Sequence, residues 1–218
     1  KGRFDILAIL RLAKLIRQEK IRIIHAHTTS LFLGTALCLL NPGLRLVWHD
    51  HFGEQERKLR PAWLYIPFVR HAQIVFTVTR ALADWSVQSL RLSNRKVHYL
   101  PNFVLVQSPT RATLQLPGKP DERIVCVGNI RSQKDHRTLL QAFAQVVKVE
   151  PQAHLILVGA DTDALLAKQM RQDGERLGLT PNLAWLGPRD DVPSILAGCS
   201  IGVLSSVSEG FPVVLLEY

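Results

Sequence analysis

Two glutamates, Glu209 and Glu217, stand eight positions apart around a glycine, a proline and an apolar run in "EGFPVVLLE". Proline needs no amide partner in the first turn of a helix, so a helix is expected to begin near residues 210–212. The free amides and dipole of that end would make an anion seat, and Gly210 would let a ligand approach the main chain. Glu209, at the mouth of the seat, is a poor partner for phosphate but a good acceptor for sugar hydroxyls. Glu217, further into the helix, has the chemistry to accept from a ribose diol. Cations for a diphosphate come from "GNIRSQK" at 128–134, directly after a strand-like run. There Arg131 can fork onto phosphate oxygens and Lys134 adds a point charge. Gly128 would permit the tight turn from strand to helix, and Asp135 would cap the helix. Together these residue types are expected to hold a nucleotide diphosphate sugar, one acid on each sugar and the diphosphate between them. Taken singly, the two acids read as ordinary surface carboxylates, and Lys134, Asp135 and His136 as a solvated helix start. No carboxylate pair is expected to bring a metal to the phosphates, so binding without a metal cofactor is expected.

Histidines form the second group. His25 and His27 alternate along "IRIIHAHT" and so share one face of a strand, and His49 and His51 repeat the spacing in "LRLVWHDH". Each pair reads either as packed or surface histidines or as reactive groups, with His27 favoured over His25 by its place nearer the strand end. His49, Asp50, His51 and Glu54 in "WHDHFGE" are competent metal ligands, but neither an HExxH pattern nor a second cluster accompanies them, and a metal site is not expected.

These residues need elements to place them. Short β-branched or aromatic runs at 21–28, 44–51, 72–79 and 96–101, and again at 123–130, 154–160, 183–187 and 201–206, predict strands. Helical patterns lie at 3–19, 31–40 and 80–92, then at 136–149, 161–177 and 190–197. Apolar runs alternating with helices imply parallel sheets covered on both faces. The fold class is therefore α/β, with two Rossmann-like parallel-sheet domains facing a cleft. The expected domains are 1–104 and 123–218. They are joined by a linker at 105–122 that is rich in proline and lacks periodicity. Ligands of such sheets bind beyond the carboxyl ends of the strands, where the unusual residues stand.

Composition narrows the classes further. The chain has 218 residues, 47% of them hydrophobic, and its longest apolar run, 31–40, is about half of what a bilayer span needs. It starts at Lys1, shows no signal-peptide pattern, and is expected to begin inside a longer protein. Cys38, Cys126 and Cys199 lack the pairing of a zinc site or disulfide framework and read as reduced core residues of a cytoplasmic protein. The net charge of +9 is unevenly distributed: residues 1–108 hold 16 Lys and Arg against 6 Asp and Glu, and 109–218 hold 11 against 12. A nucleic-acid module would leave the neutral half unexplained, and its aromatics would be interleaved with basic residues. Segment 3–19 places Phe4, Leu7, Leu10 and Leu15 towards one side. The favoured reading is a helix packed on its own sheet with a basic outer face; the other is a helix resting on an anionic membrane surface.

At these residues the sequence resembles the retaining GT-B glycosyltransferases, glycosyltransferase family 4 (group 1). The resemblance covers most of the chain: "IIHAHTT" is similar to a strand end of the acceptor domain, and "VHYLPNFV" to the segment that closes it. "VGNIRSQKDHRTLLQAFAQV" is similar to the donor domain's phosphate loop and helix, and "EGFPVVLLE" to its E-x7-E signature. The resemblance implies transfer of a sugar from a nucleotide diphosphate sugar to the hydroxyl of a glycan or lipid-linked acceptor, with retention and no protein nucleophile. By matched position, Glu209 would contact the donor sugar, Glu217 the ribose, Arg131 and Lys134 the diphosphate, and Gly210, Phe211 and Pro212 the backbone seat. His27 would lie near the reacting carbon, with His49 as a second candidate. The family carries arginine where Asn129 stands, and Arg131 is expected to replace it. Segments expected before the first strand and after Glu217 are missing, so both domains are expected to be incomplete and the chain inactive by itself. The setting implied is cell-surface polysaccharide, lipopolysaccharide or glycolipid assembly on the inner face of the plasma membrane. Alternatives are a sugar-nucleotide epimerase or hydrolase of the same fold, or a non-catalytic partner that binds the nucleotide sugar. A nicotinamide dehydrogenase is disfavoured because no GxGxxG follows a strand.

Overall fold

The structure is a computed structural model that describes residues 5–53, 59–105 and 115–218. Expectations about Phe4, Glu54 and linker residues 106–114 lie outside the described residues. The chain divides into two compact units, residues 1–102 with Glu209–Phe211, and residues 103–208 with Pro212–Tyr218. The short segment 209–211 thus groups with the first unit although the chain around it belongs to the second.

In the first unit the described elements run α1 (Ile6–Gln18), β1 (Ile23–His27), α2 (Ser30–Leu40), β2 (Arg45–Asp50), α3 (Ala62–Val69), β3 (Ala72–Thr77), α4 (Arg80–Gln88) and β4 (Val97–Tyr99). The strands form one parallel sheet in the order β1-β2-β3-β4. Ala26, Leu46, Trp48 and Val75 put one face of the sheet into a core shared with Leu31, Tyr65, Val69 and Leu90. Next to it, α1 packs through Ile9, Ala13 and Ile16 against Leu37. Three sequence expectations change here. Helix α3 had no predicted counterpart; it contains Pro67, and its residues are apolar almost all round, a pattern without period. Leu7, Leu10 and Leu15, expected on the buried side of α1, are exposed, because the face that meets the core is set by Ile9, Ala13 and Ile16. Finally, the described helices pack on one face of this sheet, while the opposite face carries the exposed Ile23, His25 and His27.

The second unit contains β5 (Arg123–Val127), α5 (His136–Val149), β6 (His154–Val158), α6 (Ala164–Arg176), β7 (Leu183–Gly187), α7 (Val192–Ala197), β8 (Ile201–Gly202) and α8 (Val213–Glu217). Its parallel strands lie in the order β7-β6-β5-β8. Cys126, Leu155 and Leu157 face a core built with Leu140 and Phe143 of α5 and Ala167 and Met170 of α6. Val125, Ile156 and Val158 point the other way onto Ile195 of α7. Strand residues therefore alternate between two cores, as a sheet covered on both faces requires. The strand order reverses at β5, which has β6 on one side and β8 on the other. In open parallel sheets such a switch point, here at the carboxyl ends of β5 and β8, is where ligands bind. The predicted strand 201–206 is cut to two residues because the chain beyond Gly202 turns to bind the loop after β5. Among the described residues no helix is long and apolar enough to cross a membrane. The three cysteines are free thiols; burial raises all three, Cys126 to about 11.

Candidate functional site

At the switch point of the second unit, the loop after β5 and the loop after β8 are stitched together. Val207 N donates to Gln133 O (2.9 Å), Gln133 Nε2 to Ser208 O (2.6 Å), and Ser205 Oγ to Lys134 O (2.8 Å). Where the two strands part, Tyr218 fills the gap: its hydroxyl accepts from Val127 N and donates to Val203 O, both at 3.0 Å. Burial of that phenol raises it to about 12. Residues 132–134 form a single 3-10 turn, with Arg131 exposed before it and the Lys134 stem lying over Gly128. Asp135 takes a left-handed conformation (φ 44°) and caps α5, accepting from Thr138 N (3.3 Å) and Thr138 Oγ1 (2.7 Å). Asp135 is thus the cap that the alternative reading of a helix start gave it.

The glycine requirement falls elsewhere than expected. At Gly128 a Cβ would make only ordinary contacts, the nearest 3.5 Å away. Gly159, at the end of β6, has φ 152°, and a Cβ there would lie 2.2 Å from Gly128 O. The close approach of these two loops therefore depends on Gly159. Asn129 Oδ1 accepts from Ala160 N (2.9 Å), which engages that side chain in joining the same loops. His136, the first residue of α5, is buried, its Nδ1 has no hydrogen-bond partner, and burial followed by the Lys134 charge lowers its pKa. The alternative reading of 134–136 as a solvated helix start does not hold for His136, which packs under the loops. The chain also holds a D-x-D triplet, Asp161-Thr162-Asp163, which the expectation of no carboxylate pair overlooked. Asp163 caps α6 by accepting from Leu166 N (3.0 Å), and Asp161 pairs with Arg171 (2.8 Å), so both carboxylates have local partners.

The E-x7-E segment is divided. Its helix is short, Val213–Glu217, with Pro212 as extended N-cap (φ −71°, ψ 111°) rather than in the first turn. Glu217 is exposed at the helix end, one residue before the anchored Tyr218. Glu209, Gly210 and Phe211 belong to the first unit, where Asn102 Nδ2 donates to Phe211 O (2.7 Å). Gly210 is forced by contact: a Cβ would stand 2.3 Å from His51 O.

The four histidines do come together. His27 and His49 are register partners on β1 and β2, with His25 and His51 two residues before and after them. Thr28, at φ 49°, turns the chain at the end of β1; its N donates to His49 O (3.0 Å), and its O accepts from Trp48 Nε1 (2.8 Å). His27 Nδ1 and His51 Nε2 share a 2.8 Å hydrogen bond, one ring donating and the other accepting. Ring centroids are 4.4 Å apart for His25 and His27, 5.4 Å for His27 and His49, and 4.0 Å for His49 and His51. Burial, then the neighbouring imidazoles, pulls His49 down to about 4, with the Leu100 backbone acting in the opposite sense. Burial and His27 also lower His25 and His51. Asp50, on the other face of β2, forms a buried two-pronged pair with Arg60 (3.1 and 2.7 Å). The Arg60 guanidinium is surrounded by the rings of Trp48, Phe52, Tyr65 and Trp85. Asp50, read from sequence as a metal ligand candidate, is therefore a structural anion.

Residues 1–107 match the model of the Glycosyltransferase Family 4, and residues 121–218 that of the Glycosyl transferases group 1. The chain is 23% identical over 233 residues to the UDP-Gal:alpha-D-GlcNAc-diphosphoundecaprenol alpha-1,3-galactosyltransferase of Escherichia coli, covering 98% of this chain and 59% of that protein. It is 25% identical over 146 residues to an N-acetylgalactosaminyltransferase of Campylobacter jejuni that acts on a diphospho-undecaprenol substrate, covering 67% and 38%. Among solved structures it resembles Anabaena Alr3699/HepE in complex with UDP-glucose (TM-score 0.76, 19% identity, 96% of this chain and 59% of that one). It also resembles the pneumococcal O-GlcNAc transferase GtfA in complex with UDP and GlcNAc (TM-score 0.73, 14% identity, 94% and 42%). The chain thus spans about three-fifths or less of the length of these relatives. The fold likeness is to GT-B enzymes, in keeping with two Rossmann-like units.

Proposed function

The chain belongs to the group 1 glycosyltransferases of glycosyltransferase family 4, and from that premise we propose that it takes part in moving a sugar from a nucleotide diphosphate sugar to an acceptor hydroxyl with retention. The observation that carries this reading is the switch point between β5 and β8, at whose carboxyl ends the stitched loops carry Arg131 and Lys134. A departing nucleotide diphosphate gains negative charge, and fixed cations stabilise it where it develops. Arg131 takes the place of the family's arginine, since the Asn129 side chain is engaged with Ala160. Glu217 accepts from the ribose and Glu209 from the donor sugar, with Gly128, Gly210, Phe211 and Pro212 giving main-chain access. His27, exposed at the end of β1, is the histidine for the reacting carbon; His49 is buried and supports it. Transfer uses protein cations in place of a metal cofactor, so no added metal ion is needed.

Uridine diphosphate is the proposed donor class, supported by the UDP and UDP-sugar complexes of the similar structures. Ligand-observed NMR titration with UDP, GDP and ADP tests the reading. UDP is expected to bind saturably, and Lys134→Ala and Glu217→Ala to weaken it by about 10-fold or more, the size of a lost charge-assisted hydrogen bond. A folded chain that binds none of the three, or binds UDP equally well in both variants, would overturn the donor assignment.

A lipid-linked acceptor at the cytoplasmic face of the membrane fits the basic first half and the exposed Ile6, Leu7 and Leu10 of α1. Cosedimentation with anionic but not zwitterionic vesicles is expected; equal recovery with both would remove this part of the proposal.

A further inference from the structure

We propose that His25, His27 and His49 bind one divalent, imidazole-preferring metal ion of the zinc class on the first unit. One ring nitrogen from each of the three lies within 4.8 Å of the others. Zinc–nitrogen bonds of about 2.0–2.1 Å place tetrahedral ligand atoms roughly 3.4 Å apart, so closure requires small ring movements. The two histidines that must move, His25 and His27, are exposed at the strand end. The third is fixed: His49 is 7% exposed, yet its Nε2 is buried without a hydrogen-bond partner. A buried polar atom left unsatisfied is uncommon and costly, and a metal ion would satisfy it. His51, through its hydrogen bond to His27, orients that ring as partners of ligating histidines do. Phe76 stands edge-on to His25 and His49, giving the site an apolar wall. Three neutral nitrogen donors without a carboxylate suit zinc, nickel or copper and not magnesium or calcium. His27 is also the histidine proposed for the reacting carbon, so this inference rests on that reading in one respect: a bound ion would occupy that ring and act as an inhibitor of transfer, not as its cofactor.

The untagged chain is titrated with zinc against a chromophoric chelator, with magnesium as control. One equivalent of zinc is expected to bind with a dissociation constant of about 1 μM or tighter, and magnesium not at all. His49→Gln and His25→Gln are each expected to weaken zinc by at least about tenfold, the scale of a disturbed ligand set. His154→Gln, in the second unit, leaves it unchanged. Circular dichroism checks each fold; His25 is exposed, so its variant carries the test if His49→Gln does not fold. Absence of a one-equivalent site, or affinity unaltered by His25→Gln, would overturn the proposal.

Discussion

Where β1 and β2 end, four imidazoles stand in a group that includes the unpartnered His49 Nε2; where β5 and β8 end, Gln133, Ser205, Asn129 and Tyr218 are all hydrogen-bonded to backbone, with one unpartnered imidazole nitrogen, His136 Nδ1, buried beneath them. In the second unit polar side chains build the loops, and the exposed Arg131 is left at their rim. In the first unit the backbone turn at Thr28 and the Asp50–Arg60 pair hold the strand ends, so the histidines themselves need not. Polar groups that carry the fold and polar groups available to a ligand are therefore sorted by which partners they already have.

Breaking the scaffold of the first region should have the largest effect. Asp50→Ala would strand the Arg60 guanidinium in a buried aromatic cage, with an expected loss of about 3–5 kcal/mol in urea unfolding. In the second region, Gly159→Ala meets both a left-handed φ and the Gly128 carbonyl, and should cost about 3 kcal/mol, whereas Gly128→Ala should be mild. A finer contrast pits Asn129→Ala, expected to lose about 1 kcal/mol with its bond to Ala160, against His25→Ala, expected within about 0.5 kcal/mol of the parent. Equal losses would mean that the histidines are as structural as the loop residues. The smallest effect at neutral pH belongs to His49. Its folded pKa is about 4 against an ordinary 6.5, so the unfolded chain takes up the proton first. With chelator present, stability should be constant above about pH 6.5, fall as pH drops towards 4 and level off below; thermal melts of His49→Gln should lack that share of the slope.

Much of this was legible in the chain itself. Short β-branched or aromatic runs marked seven of the eight strands to within three residues of their length, because a strand buried on one or both faces concentrates such side chains. The helix at 136–149 was readable to the residue, since Asp135 both stops the preceding turn and caps the helix. Less visible was α3, whose apolar residues have no period and include a proline. The eighth strand was misjudged because "IGVLSS" has strand-like residues, but hydrogen bonds to a loop some 70 positions earlier end it after Gly202.

For the candidate site, residue type and order in the chain single out the cations, the two glutamates and the histidines as candidates, since these chemistries have few substitutes. Tertiary structure alone decided which of them are engaged. It moved the glycine requirement from Gly128 to Gly159, gave Asn129 and both carboxylates of 161–163 local partners, and buried His136. It also gathered His25, His27 and His49 from two strands into one group. The physical reason is that composition and periodicity fix what each residue can do and which face it occupies. Close approach, burial and hydrogen-bond partners are set by register and packing between segments far apart in the chain.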